Sequence, residues 1–374
     1  MTFAAARLAT GRGPDSATVV LRPVPSALPP GTAVRELLAA SREFFGDQVP
    51  LDDPTGLGGS ESKAELVART RALCAGRGRP VALGFGAAGG VQYLGAALEH
   101  GRFDATAGSL FGEALATWLQ GGQPGRPVPG PTTDSAVISE RSVGAWRRAL
   151  DVAGGIARCD PPASAPCGAY LRLPRQAGRS AEPAGGRRDG LAPVLDAIGQ
   201  AFGRGRRDGP RLVGVTGSNR QYPDLASFAG MAAQPGPIVL DDAVTSPASP
   251  RRGRYDLLHR RLLIALRSAR WCPNCLDAEF GRFDATLCGF FTETLIVNDT
   301  RRLDLELADV LDRVPARQPI ELADWPFHPG GSAFALATDT AGDSILALRS
   351  SSQALSGIEP ADFLMAVRAN LTCD

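Results

Sequence analysis

Residues 79–115 constrain the fold more than any other part of the chain. They read as a buried strand, a tight Gly/Ala turn, an amphipathic helix and a second strand. Gly84, Gly86, Gly89 and Gly90 allow close backbone approach. Val91, Leu94 and Leu98 recur at helical spacing, which predicts a helix after the turn. A strand-to-helix turn of this kind presents a nucleophile at a helix N-terminus, where the dipole stabilises an anion. Ala87 occupies the place of that nucleophile, so the segment reads as an active-site shell without its reactive atom.

A chain of 374 residues accommodates one large domain or two ordinary ones. Its 44% hydrophobic and 21% charged residues are those of a folded protein. Forty basic side chains against 39 acidic ones leave a net charge of +1, so bulk electrostatics give no case for nucleic acid or membrane binding. Lys63 is the only lysine, which removes most lysine chemistry. Seven dispersed cysteines point to free thiols rather than a disulfide framework. No apolar run reaches membrane-spanning length and the first residues lack a signal-peptide pattern, so the expected location is cytoplasmic.

Strand candidates at 17–24, 211–215 and 237–244 alternate with helix candidates at 34–45, 60–76, 191–203 and 255–269. That alternation predicts an α/β layer architecture. Pro/Gly-rich stretches at 121–135 and 174–190 read as loop and linker. The domain reading is an N-terminal α/β half over 1–175, a C-terminal half over 176–300, and an extension or closing strands over 301–374. The sequence GRFDAT occurs at 101–106 and again at 281–286, each copy leading into an apolar run with a carboxylate, Glu113 or Glu293. This echo suggests two similar βαβ-rich halves.

The stretches Ala87–Ala97 and Gly101–Leu115 resemble the nucleophile turn, helix and Gly-Arg-x-Asp strand of the thiolase superfamily, in particular ketosynthases and their chain-length-factor partners. Residues 156–175 are similar to the crossing segment that ends the first half. The closing Gly-Gly strand of that family is similar to either 288–297 or 328–337. The resemblance implies a thiolase-like layered fold. It places Ala87 at the nucleophilic cysteine, Thr216 at the first histidine, Ser249 near the lysine and Arg254 at the second histidine. With all four positions degenerate, it implies a non-catalytic partner of a ketosynthase paralogue, working with an acyl carrier protein in polyketide or fatty-acid-type biosynthesis. Gly89, Gly90, Gln92 and Tyr93 would then shape the acyl-chain pocket, and no cofactor would be needed.

Two other chemistries are legible. Cys272 and Cys275, in the sequence Trp-Cys-Pro-Asn-Cys, form a C-x-x-C pair that can be a redox dithiol or, completed by Cys288 and His259, a zinc site; two ordinary cysteines in a turn is the plainer reading. A cysteine-dependent acyl transferase, using a residue such as Cys167, is the other alternative. His100 reads as a surface residue at a helix C-terminus and His328 as a turn residue. The arginine clusters at 187–188, 204–207, 251–254 and 260–261 read as solvated charge or as a dock for an acidic carrier protein.

Overall fold

The computed structural model describes residues 17–46, 49–77, 80–99, 102–125, 140–152, 167–173, 190–203, 209–219, 232–246, 248–269, 294–301, 333–338, 343–350 and 357–372, with residues 127, 226, 228, 314, 319–321 and 355 between them. The chain divides into two compact units. The first comprises 1–133 with two returning segments, 218–233 and 303–310. The second comprises 134–217, 234–302 and 311–374.

The first unit is a four-stranded sheet of order β1-β4-β3-β2, built from β1 (Ala17–Pro23), β2 (Thr55–Ser60), β3 (Val81–Ala88) and β4 (Val91–Glu99). Period-two alternation sends side chains to both faces, and both faces are buried. Val20, Leu83, Leu94, Ala96 and Leu98 pack against α1 (Pro30–Phe45) and α3 (Ala105–Leu119). Val19, Leu21, Ala82 and Ala97 face α2 (Lys63–Arg77) through Leu66, Val67 and Cys74. Helix α1 begins with proline in its first turn, where no intrahelical N–H bond is lost. Its stripe of Ala33, Leu37, Ala40 and Phe44 follows helical periodicity. Phe44 and Phe45 lie with ring centroids 5.3 and 5.0 Å from Phe111 of α3.

The segment 91–98, expected as a helix, is strand β4. Gly89 and Gly90, at φ 56° and 80°, close a two-residue hairpin in which Ala88 pairs with Val91. Two consecutive positive φ angles suit such a turn and glycine supplies both. The spacing of Val91, Leu94 and Leu98 fits a helix only while Gly95, Ala96 and Ala97 are ignored. A Cβ on Gly95 would sit 2.3 Å from the carbonyl of Val20 on the neighbouring strand β1, so this position of the ladder takes only glycine. The run 101–115, expected as a strand, leads into helix α3 instead, at Ala105–Leu119. The order is therefore strand, strand, helix, and no nucleophile turn exists at Ala87, which lies within β3.

The second unit carries a seven-stranded mixed sheet of order β7-β6-β8-β10-β11-β5-β9. Its strands are β5 (Cys167–Leu173), β6 (Arg211–Gly217), β7 (Gln234–Leu240), β8 (Leu295–Asp299), β9 (Ile320–Glu321), β10 (Ala333–Thr338) and β11 (Ser344–Ser350). Strands β6, β8 and β10 run parallel; β7 is an antiparallel edge strand with Pro235 and Pro237 in it. The helices are α4 (Glu140–Val152), α5 (Leu191–Phe202), the short α6 (Asp242–Thr245), α7 (Arg251–Ser268) and α8 (Pro360–Thr372). Helix α5 is buried along nearly its whole length and packs against both α7 and α8. A helix apolar all round belongs in an interior. Its single charge, Asp196, accepts hydrogen bonds of 2.7 and 3.1 Å from the guanidinium of Arg254 on α7. Trp146 of α4 donates its indole N–H to the carbonyl of Ser268 at 3.2 Å.

The expected pair of similar halves is corrected by these two sheets: they differ in strand number, order and direction. What holds from the sequence is a mixed α/β chain built on two sheets. Within the first GRFDAT copy, residues 102–106 lead into α3, on which Glu113 is exposed, while the second copy and Glu293 lie outside the described residues.

Helix α7 crosses β7 at Gly236, where an added Cβ would stand 1.8 Å from the carbonyl of Ala265. Gly236→Ala should lower stability by about 1–3 kcal/mol through overpacking. Gly253→Ala on the same helix meets open space and should raise stability by about 0.5 kcal/mol. Thermal and urea unfolding of the two variants check the contrast.

Candidate functional site

The first unit carries a buried polar arrangement at the turn from β4 into α3. Strand β4 ends at Glu99, whose N–H donates to the carbonyl of Pro80 at 2.8 Å. The carbonyl of Glu99 accepts the N–H groups of Arg102 and Phe103, both at 3.0 Å. Phe103 drops into the core at 4% exposure, with its ring 5.3 Å from Phe45. Asp104 follows as the N-cap of α3, and its Oδ1 accepts the N–H of Ala107 at 2.7 Å. An aspartate in extended backbone just before a helix satisfies a helical N–H that has no partner in the helix.

Asp104 does more than cap. It is 1% exposed, and its Oδ2 accepts the N–H groups of Ala232 at 2.9 Å and Ala233 at 2.8 Å. These residues close the returning segment 218–233, immediately before the chain enters β7. Asn219, buried at φ 57°, donates its side-chain N–H to the carbonyl of Ala232 at 2.8 Å. One carboxylate thus meets three backbone donors and ties a helix start to a segment 128 residues away in sequence. Both carboxylate oxygens are committed, which leaves Asp104 a positioning group rather than a proton carrier.

In the sequence, His100 and Gly101 stand between the two fixed points of this turn, Glu99 and Arg102. Both lie outside the described residues. The chain has three histidines. His259 is an exposed residue of α7, and His328 lies outside the described residues. The expectation that His100 follows a helix is corrected: the element before it is β4. The signal that could have found this site was present as an imidazole four residues before a helix-capping aspartate, at the close of an apolar run.

Glu99 also acts behind the turn. Its side chain pairs with Arg102 at 3.3 Å. Cys74 of α2 lies buried with its thiol 3.2 Å from the carbonyl of Ala97. Burial, with a further contribution from the Glu99 charge, pushes that thiol up to about 11.

The other expected site residues are dispersed. Ala87 is half-buried in β3, while Gly89, Gly90 and Gln92 are exposed at the β3–β4 hairpin. Tyr93 is half-buried in β4, with the Lys63 ammonium 5.8 Å from its ring centroid. Thr216 is half-buried in β6, paired with Pro235. The Ser249 carbonyl accepts from Arg254, whose ion pair with Asp196 holds its guanidinium more firmly protonated than usual. Thr216, Ser249 and Arg254 thus sit in structural roles of the second unit. Cys272, Cys275 and Cys288 lie outside the described residues, and Cys167 begins β5. No cluster of three or more His, Cys, Asp or Glu side chains suited to a metal occurs among the described residues.

A cavity of about 740 Å³ lies at the far end of α3, lined by Leu28, Glu36, Glu43, Trp118 and Leu119. Fourteen residues of helix, roughly 21 Å, separate Trp118 from Asp104, so this cavity is not part of the turn.

No protein-family profile matches the sequence, and no curated protein matches it. Solved structures do. The starter condensation domain of rhizomide synthetase RzmA, as a variant with a histidine and an arginine replaced by alanine and in complex with C8-CoA and Leu-SNAC, matches with a TM-score of 0.63 at 14% identity over 98% of this chain and 90% of its own. The condensation domain of the enacyloxin polyketide synthase, described as mediating chain release, matches with a TM-score of 0.63 at 13% identity over 96% of this chain and 76% of its own. The first condensation domain of the calcium-dependent antibiotic synthetase in complex with a substrate analogue matches with a TM-score of 0.61 at 17% identity over 99% and 94%. The fold is that of condensation domains. This overturns the thiolase and ketosynthase resemblance, and with it the chain-length-factor function and the ketosynthase partner. No helix among the described residues is long and apolar enough to cross a membrane.

Asp104→Asn keeps the shape of the side chain but turns an amide NH2 toward donors. Stability should fall by about 1–3 kcal/mol, and amide exchange at Ala232 and Ala233 should accelerate. Unchanged exchange at those two amides would show that the carboxylate does not hold the segment. The Cys74 thiol is raised in the folded state, so its contribution is complete below pH 9.0 and is lost as pH rises through about 11. Urea titrations at pH 8 and 11 should show that loss, and a smaller one in Cys74→Ala.

Proposed function

We propose that the chain is an acyl-transfer enzyme of the condensation-domain type, and that His100 is its catalytic base. The reading is supported chiefly by the condensation-domain fold. The position of His100 supports it further, between the end of β4 and the Asp104 cap. The acyl donor is a thioester on the pantetheine arm of a carrier protein, and the acceptor is an amine or a hydroxyl. The acceptor's lone pair attacks the thioester carbonyl, His100 takes its proton, the carbon–sulfur bond breaks, and the proton passes to the departing thiolate. An imidazole titrates close to neutral pH and suits that shuttle.

Asp104 positions the base without touching substrate. Its three backbone contacts fix the start of α3 four residues after His100 in the sequence. The reaction requires neither metal nor redox cofactor, because thioester cleavage supplies its own driving force. The expected setting is the cytoplasm, beside the carrier proteins of a biosynthetic assembly.

The test is turnover of an octanoyl thioester with a panel of amine and alcohol acceptors. His100→Ala should lower kcat by roughly 10²–10⁴-fold with an unchanged thermal midpoint. The native rate should rise with pH through a single ionisation near 6.5. Transfer that persists at the native rate in His100→Ala would sink the assignment.

A further inference from the structure

The outward face of α7 carries charge that the fold does not use. The helix holds six arginines: Arg251, Arg252, Arg254, Arg260, Arg261 and Arg267. Three are engaged across elements. Arg254 meets Asp196 of α5. Arg261 donates to the carbonyl of Val239 at 2.6 Å and pairs with Asp241 at 2.9 Å. Arg251 reaches the carbonyl of Asn370 at 3.2 Å, as well as the hydroxyl of Tyr255. The other three, Arg252, Arg260 and Arg267, are exposed. They form no ion pair among the described residues, and Arg260 donates to the carbonyl of Asp256 on the same helix at 3.3 Å.

These residues are not scattered. At about 100° per residue, Arg252, Asp256, His259, Arg260, Leu263 and Arg267 fall within an arc of about 100°. The stripe is roughly 22 Å long. Asp256 is its one carboxylate. Leu263, 43% exposed, stands in the middle of the stripe between Arg260 and Arg267. An apolar anchor inside a rim of guanidinium groups is the composition of a protein-docking patch. The chain as a whole carries +1, so the local excess is not general basicity and does not suit an extended polyanion. It suits a compact acidic partner.

We propose that this face of α7 docks the acidic surface of the carrier protein that delivers the acyl thioester. The proposal rests on the acyl-transfer reading for the identity of the partner. Guanidinium groups pair with carboxylates in a fixed fork geometry, and Leu263 enters an apolar recess between them. Docking of this kind acts on binding of the carrier and leaves the chemistry of a carrier-free thioester untouched.

The experiment compares two probes with the full chain: a fluorescently labelled acyl carrier protein bearing an octanoyl-pantetheine arm, and octanoyl-N-acetylcysteamine, which is uncharged and has no protein surface. Arg260→Glu combined with Arg267→Glu should weaken carrier binding about tenfold. Arg260→Gln with Arg267→Gln, which removes charge without reversing it, should give a smaller loss in the same direction. Leu263→Ala should weaken binding about threefold. Native binding should weaken as salt is raised. Turnover of the N-acetylcysteamine thioester should change less than twofold in every variant. Absence of saturable carrier binding by the native chain, or equal affinities in native and charge-reversed chains, overturns the proposal. Carrier binding that depends on Arg260 and Arg267 without acyl transfer from either thioester would sink the acyl-transfer reading and leave the docking face standing.

Discussion

The first unit is organised by one buried carboxylate. Asp104 accepts from Ala107, Ala232 and Ala233 at once. A buried charge is tolerable only when its oxygens are satisfied, and backbone N–H groups satisfy them without side-chain entropy. The consequences run in two directions. Along the chain, the cap fixes where α3 starts and therefore how Phe111 meets Phe44 and Phe45. Across the chain, the same residue holds 232–233 at the point where the chain turns into β7. A residue that performs both tasks cannot drift without moving both the start of α3 and the segment before β7.

In the second unit, α7 shows how one helix packs and displays at the same time. Its inward side has a glycine-sized contact with β7 at Gly236 and an ion pair with Asp196 inside otherwise apolar surroundings. Breaking such a pair from one side leaves an uncompensated buried charge, which costs about 3–5 kcal/mol. The inward arginines therefore fix the rotation of the helix about its axis. That rotation sends Arg252, Arg260, Leu263 and Arg267 outward as a set.

Much of the secondary structure was legible in the sequence. Strand β1, helices α1, α2, α5 and α7, and strand β6 all follow from periodicity and punctuation. The failure at 91–119 was a failure of period. Val91, Leu94 and Leu98 mimic a helix, yet the intervening Gly95-Ala96-Ala97 is the composition of a strand squeezed between neighbours. Once 91–98 became a helix, 101–115 became a strand, and a thiolase-like order followed. The candidate site was hidden for the same reason. His100 after a helix is a surface residue; His100 after a strand and before an aspartate cap is a candidate base. The contacts of Asp104 with Ala232 and Ala233 have no local signature, because nothing near residue 104 announces a partner 128 residues later.

Strand β7 carries prolines at alternate positions, Pro235 and Pro237, and among the described residues its one strand partner is β6. Residues two apart in a strand direct their nitrogens to the same side. That side must be the outer one, since the inner one serves the ladder. The edge thus lacks donors at two successive outward sites, and a further strand laid against it would find carbonyls without their partners. Both prolines are also buried, so the edge there is covered as well as poor in donors. Backbone pairing with another molecule is disfavoured at those two positions, which leaves growth of the sheet to its other edge.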